Sequence, residues 1–365
     1  MINLSPNLLT LIKRQHGAAT LMMTVLLMVA AVLIIIYATS HSVLQQKGAT
    51  NQYASNQAFE AADAGLEMGI AYLKTNRALI LASPVGGFIT YGPADTNITN
   101  ITLGNSSSYS IVYTNPTASN YTLIKITSTG TSVDGTSTRT VSQMVQYKPL
   151  LTTIPSAPAT ILGAVTLGGN PSITTNFQHN KSIISGSTIS YAGSASSSSN
   201  DGTSDKHGAG PDISQNTNPL NTETADQFFQ SYFGTTAANV KAGVSNFYAA
   251  GTTPALDGLT GVSIWVDGPY SQTGNVTIGS AVSPVLLIVN GDFSIGGNVT
   301  IYGFVFVYGN TSSSSGTPNI IGGLASSGTL SIQGNGNITY DNSLLTTTQS
   351  STGSYPKVPG TWKDF

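Results

Sequence analysis

The chain has 365 residues; only 8% are Asp, Glu, Lys or Arg, 40% are hydrophobic and 39 are glycine. Soluble proteins average about 25% charged residues, so a uniformly helical soluble fold is excluded and the bulk of the chain must be strand and turn. A net charge of −2 supplies no basic stripe for phosphates, which argues against nucleic acid as a partner. With no cysteine there can be no disulfide, zinc-thiolate site or catalytic thiol. The four histidines, at 16, 41, 179 and 207, are too dispersed to form a metal cluster.

The N-terminus is patterned for a membrane. No acid precedes Glu60, and Lys13 and Arg14 stand just before an apolar run from about Ala18 to Ala38. A run of about 20 residues spans a hydrocarbon core of about 30 Å, and the two cations place Met1–Gly17 on the cytoplasmic side. A secretory signal is one rival, with Ala31 and Ala38 as a weak cleavage pattern, although its apolar core is ordinarily about 7–15 residues. A plain single-span anchor is another.

The helix does not stop at the membrane. No proline lies between Pro6 and Pro84, and Phe59, Ala62, Leu66, Ile70 and Leu73 follow at helical spacing on one face. One helix from about Ala18 to Asn76 would be roughly 90 Å long. Gly48, Gly65 and Gly69 are its weak points, each costing about 1 kcal/mol relative to alanine.

The stretch Arg14-Gln-His-Gly-Ala-Ala-Thr-Leu21, the apolar run, and Gln57-Ala-Phe-Glu-Ala-Ala-Asp-Ala-Gly-Leu66 resemble the N-terminal region of PilX-type minor pilins of type IV pili. The resemblance covers about the first 80 residues. It implies a leader that ends at Gly17, removed by a prepilin peptidase, and N-methylation of the new first residue, Ala18. Losing Lys13 and Arg14 would take the net charge from −2 to −4. It implies as partners the prepilin peptidase, other minor pilins, a PilY-type tip adhesin, the pilus assembly platform and the inner membrane. One departure stands out. Most pilins carry Glu at the fifth mature position, where it can neutralise a neighbour's N-terminal amine in the apolar filament core. Here that residue is Met22. Some minor pilins and type II secretion tip pseudopilins share this lack, which suits a subunit at or near a filament tip.

Residues 97–147 read as strands. Tyr109–Tyr113, Tyr121–Thr127 and Arg139–Tyr147 are rich in β-branched and aromatic residues, with turns at Asn115-Pro116 and Asp134-Gly135. Such a sheet can cover the amphipathic half of the helix. Lys148-Pro149 through Ala157-Pro158 reads as a linker.

From residue 262 a repeat appears. Ile264–Gly268, Leu287–Gly291, Val305–Gly309 and Leu330–Gly334 each end in glycine, and Asn275-Val-Thr-Ile, Asn298-Val-Thr-Ile and Asn337-Ile-Thr-Tyr fall between them. Gly169–Ile173 and Lys181–Ile189 match loosely. Short strands at intervals near 20 suggest stacked coils of a parallel β-helix, with Gly268, Gly291, Gly309 and Gly334 as left-handed corners. An antiparallel β-sandwich is the alternative. Residues 191–260 look inserted: a polar loop, then a helix Glu223–Phe233 capped by Asn221 or Thr222 and ended by Gly234. Its Phe228, Phe229, Tyr232 and Phe233 would pack on the coils or shield an open end.

The expected fold is α+β. It comprises leader 1–17, helix 18–82, antiparallel sheet 83–149, linker 150–158 and a large β-rich domain 159–365. No P-loop, dinucleotide fingerprint, nucleophile elbow or zincin motif occurs, so no enzyme activity and no cofactor are expected. Asp267 and Asp292, on neighbouring coils, form the best catalytic pair, but corner residues explain them more simply. The loop Asn200–Asp205 with His207 and Asp212 has oxygen ligands for calcium but not the spacing of an EF-hand. Trp265 reads as core and Trp362 as the more exposed tryptophan. The functional expectation is a minor pilin that primes or caps a type IV pilus. The rivals are a secretion pseudopilin and a membrane-anchored β-helix adhesin or glycan-binding protein.

Overall fold

A computed structural model describes residues 7–75, 101–114, 116, 122–175, 181–199, 204–205 and 212–365. The architecture is α+β. Helix α1, Asn7–Thr75, runs unbroken for 69 residues. It therefore begins before the expected leader junction and carries Gly17 inside helical backbone. The face forecast from spacing is the one that is covered: Ala62, Leu66, Ile70 and Leu73 are buried and Phe59 packs beside them.

The cover is an antiparallel meander of β1 (Ile101–Thr102), β2 (Ser108–Thr114), β3 (Leu123–Thr131) and β4 (Thr138–Gln146). Strict alternation in β2 and β3 turns Tyr109, Ile111, Tyr113, Ile124 and Ile126 toward α1. The Tyr113 hydroxyl donates to the Gly69 carbonyl at 2.8 Å. Glycine sets how close the layers come. A Cβ on Gly130 would overlap Ala58 O and Ala62 N, and one on Gly65 would lie 2.7 Å from the Tyr109 ring. The turn expected at Asn115 lies outside the described residues, as do the side chains of Lys13 and Arg14 and residues 76–100.

Two boundaries are corrected. The C-terminal residues do not belong to the large β-rich part: Lys363–Asp364 adds a fifth strand to the sheet, antiparallel to β4 through Lys363↔Ser142 and Asp364↔Val141. Gln143 Nε2 donates to Val358 O at 2.8 Å and to Thr361 Oγ1 at 2.7 Å, and Lys357 pairs with Glu67 of α1. Residues 150–352 are thus inserted between two neighbouring strands of one sheet. Nor is 150–158 a solvated linker, because Leu150, Leu151 and Ala157 are buried.

Within the insertion the strands form three stacks, and their pairings are parallel except for Ser204–Asp205 against Ser196–Ser198. The first stack runs in space through Asn246–Tyr248, Ser263–Asp267, Val285–Asn290, the ends of Asn298–Val307 and Asn319–Ser326, then Ala159–Ile161, Ile183–Ser185 and Ile213–Ser214. The second runs through Tyr270–Gln272, Phe293–Ile295, Thr311–Ser313, Leu330–Gly334, Val165–Gly169 and Ile189–Tyr191. The third holds the Asn-x-Thr strands forecast as repeats: Asn275 pairs with Asn298, but Asn337 pairs with Asn319, which pairs with Thr300, so the Asn337 strand is two residues out of step with the first two. This alignment is not the antiparallel pairing a sandwich requires.

Sequence order and spatial order differ. The chain enters mid-stack at Ala159, steps outward to Ile213, crosses to the opposite end at Asn246 and winds back until Leu324 lies beside Ala159. The segment 191–260 is therefore the crossing path, not a simple insertion, and 189–191, 196–198 and 213–214 are rungs.

Helices α2 (Ala225–Phe233), α3 (Ala237–Gly243) and α4 (Asn342–Ser351) belong to this part. The cap of α2 is Thr224 rather than Asn221 or Thr222: Thr224 and Gln227 form a capping box, and Gly234 ends the helix at φ +63°. Its four aromatics cover the flank of the first stack, where Trp265, Ile288, Phe304 and Phe306 point outward. The opposite side of the same strands (Ile264, Leu287, Val305, Leu324) fills the space between the stacks.

The four corner glycines divide. Gly268 and Gly334 have φ of +81° and +111°, whereas Gly291 and Gly309 are not left-handed. These two are glycine for a different reason: a Cβ on Gly291 would lie 2.5 Å from Gly268 C, and one on Gly309 2.7 Å from Asp292 N. Gly334 belongs to a second corner, stacked on Gly169, and the fourth member of the first column is Gly328, whose Cβ would lie 2.6 Å from Gly309 C.

Candidate functional site

The region that stands apart from the fold is the first half of α1. Every residue from Gly17 to Tyr53 is exposed, including Leu26, Met28, Leu33, Ile34 and Ile35. No Asp, Glu, Lys or Arg occurs between Arg14 and Lys47. This helix is long and apolar enough to cross a membrane. Its threonines bond back to the helix: Thr20 Oγ1 donates to Gly17 O at 3.0 Å, Thr24 to Leu21 O at 2.9 Å and Thr39 to Ile35 O at 2.7 Å. That pattern lets threonine enter hydrocarbon without an orphaned donor.

Gly17 has no packing reason to be glycine, because nothing lies within 4 Å of a Cβ built on it. It also weakens the helix by about 1 kcal/mol relative to alanine. Ala18 follows it on exposed helix, and Met22 is 69% exposed. Gly48 is equally unencumbered, whereas Gly65 and Gly69, read as weak points, are contact positions against Tyr109 and Ile126. The signal was present in the sequence: Ala58, Ala62, Gly65 and Gly69 recur at helical spacing as a strip of small residues.

The second half of α1 fixes the exposed half to the sheet. Glu67 accepts from Lys357, and Tyr72 stacks on Tyr113 with ring centroids 6.3 Å apart. Together, α1 and its sheet present a bare apolar rod beyond a packed base.

The best catalytic pair is otherwise engaged. Asp267 accepts from Lys241 Nζ at 2.6 Å, Trp265 Nε1 at 2.7 Å and Asn290 Nδ2 at 3.2 Å. Burial pushes its carboxyl up, but hydrogen bonds from Lys241, Trp265 and Asn290 outweigh this and hold it below the usual carboxylate range. Asp292 Oδ1 accepts from Asn310 N at 2.7 Å and Nδ2 at 3.2 Å. Both carboxylates therefore tie neighbouring rungs together. Among the described residues no three His, Asp or Glu side chains cluster. Most of the 200–212 loop lies outside the described residues; Asp212 itself is buried and accepts from Ser199 N at 3.0 Å and Ser199 Oγ at 2.8 Å. Trp265 is 1% exposed, against the aromatics of α2, and Trp362 is 48% exposed on the closing segment.

No protein-family model matches the chain, and no curated protein matches it. Among solved structures it is similar to the competence-associated pilin ComZ from Thermus thermophilus, at 11% identity and a TM-score of 0.27, over 86% of this chain and 98% of that one.

Proposed function

We propose that this chain is a minor pilin of the PilX kind, made as a membrane-inserted precursor and cut after Gly17. In this reading Lys13 and Arg14 hold the leader in the cytoplasm, a prepilin peptidase removes it, and Ala18 becomes the N-methylated first residue. The observation that carries the reading is the division of α1. Its first half is bare and apolar, and its second half is clamped under an antiparallel sheet. A subunit so built can wait in the inner membrane by its apolar half and exchange lipid for the helices of other minor pilins when a filament forms. Helix-on-helix burial then replaces helix-on-lipid burial with little change in apolar exposure.

The residues 150–352 form the exposed head, which we read as a parallel β-helix on the strength of its parallel stacks. Met22 at the fifth mature position supplies no carboxylate for a neighbour's amine, which favours a place at the tip, where the head contacts a PilY-type adhesin or a surface. The chain has a structural rather than a catalytic role, and the chemistry belongs to its peptidase. Gly17→Glu tests the reading: the precursor should accumulate with its leader attached in cells that process the wild-type chain. Normal maturation of this variant would remove the cleavage site from the account. A second reading, a type II secretion tip pseudopilin, shares the Met22 departure. Deletion of the gene should reduce piliation in the first case and protein secretion in the second.

A further inference from the structure

The chain passes between its helix–sheet part and its head twice, at Lys148–Pro149 and at Gly353–Ser354. These two crossings pair with each other in a two-rung antiparallel ladder, Pro149↔Gly353 and Lys148↔Ser354. On one side of the ladder Tyr147 and Tyr355 belong to the core of the helix and sheet. On the other, Leu150 and Leu151 belong to the aromatic cluster of the head. No buried hydrophobic residue among those described is shared by the two cores. The ties at the ladder itself are few. Leu150 N donates to Thr352 O at 3.2 Å, the Tyr147 hydroxyl donates to Gln349 O at 2.9 Å, and the Tyr147 ring lies flush against Gly353.

Beside the ladder the head touches the crossing strand, where a Cβ on Gly243 of α3 would lie 3.3 Å from Ser354 Cβ. An open groove of about 310 Å³, lined also by Ser354 and Lys357, lies between Glu67 and Ile70 of α1 and Asn239, Ala242 and Gly243 of α3. A second, of about 240 Å³, lies between Pro149, Leu150, Phe233 and Pro356. The larger one is open to solvent, so α1 and α3 face each other across a groove rather than a packed seam. Parts joined by a small interface move relative to one another unless a large apolar surface holds them.

We propose that the two-rung ladder is a hinge and the larger groove is the cleft that opens and closes as the head rocks against α1. The segment after Ser354 stays with the sheet, through Lys357 on Glu67 and Lys363–Asp364 on β4. The pivot is therefore confined to 147–150 and 352–355. Rocking would let the head change its tilt without bending the anchored helix.

The absence of cysteine makes this directly measurable in the full chain in lipid nanodiscs. Spin labels at Thr138→Cys, on the sheet, and Ser271→Cys, on the head, report the distance across the hinge. Labels at Ser190→Cys and Ser271→Cys report the length of one stack inside the head. The hinge predicts a distance distribution across the parts at least about twice as wide as the one within the head. Equal widths would overturn it. Tyr147→Phe, which removes the bond to Gln349, should widen the first distribution and leave the second unchanged. No widening there would count against the ladder as pivot. Neither result depends on whether the chain enters a filament.

Discussion

Replacing Gly130 by alanine isolates the fit between α1 and its sheet. The glycine is the second-last residue of β3 with no left-handed backbone, so alanine costs nothing in conformation there. The added Cβ would overlap Ala58 O and Ala62 N and lie 3.0 Å from the Ala61 carbonyl carbon. These are all backbone atoms of the helix, and none can rotate away. Carbon meets carbonyl oxygen at about 3.3 Å or more, so the helix must lift by about 1 Å along Ala58–Ala62. Overpacking of this kind costs about 1–3 kcal/mol, and the rigid obstacles argue for the top of that range. At about 2–4 °C per kcal/mol for a unit of this size, the melting temperature of the helix–sheet part should fall by roughly 6–12 °C. Hydrogen exchange along residues 54–73 of the full chain in detergent would place the loss, while the head's exchange stays unchanged. Gly48→Ala, with nothing within 4 Å, is the control of opposite sign and should stabilise the helix by about 1 kcal/mol. Wild-type melting and protection in Gly130→Ala would mean that helix and sheet do not meet as described, and the division of α1 would lose its basis.

The head yields three more tests. Phe229→Ala removes a fully buried ring stacked on Phe233 at 4.1 Å and Tyr308 at 5.2 Å; it should cost about 3–5 kcal/mol, and an unchanged head melting transition would show that the aromatic cover is not structural. Gly291→Val should lower the same transition by about 2 kcal/mol or more through backbone overlap with Gly268 rather than strain, so Gly291→Ala should be nearly as damaging; a harmless alanine would contradict the close stacking. Asp267 contributes stability above its unfolded pKa of about 4, and that contribution is lost as pH falls through its lowered folded value. Asp267→Asn should therefore be less stable than wild type near pH 7 and equal to it in acid. A difference that persists at low pH would assign the effect to packing.

Much of the helix–sheet part is legible in the sequence because its determinants are local. The spacing of Ala62, Leu66, Ile70 and Leu73 names the buried face, and the β-branched runs name the strands. The closing strand is not legible, since Lys363–Asp364 is two charged residues whose pairing depends on β4 being an open edge. In the head, the repeat announces parallel rungs but not their order. Leu324 beside Ala159 is a contact across 165 residues that no local period encodes. Gly334 mimics the first column because Leu330-Ser-Ile-Gln-Gly repeats the pattern of the first stack while sitting in the second. Its true counterpart, Gly328, follows Ala325-Ser-Ser and lacks the apolar run that would have marked it. Gly17 is a different case: nothing packs against the position, so the fold neither requires nor explains a glycine there, and the proposed junction rests on the leader pattern alone.

The central claim is that the exposed half of α1 is the N-terminus of a processed pilin. The intact mass and N-terminal sequence of the chain from native membranes test it most directly. The account predicts a chain that starts at N-methylated Ala18 without the first seventeen residues. A chain that starts at Met1, or one cut beyond about Ala38, would contradict it and leave a membrane-anchored or secreted β-rich protein in its place.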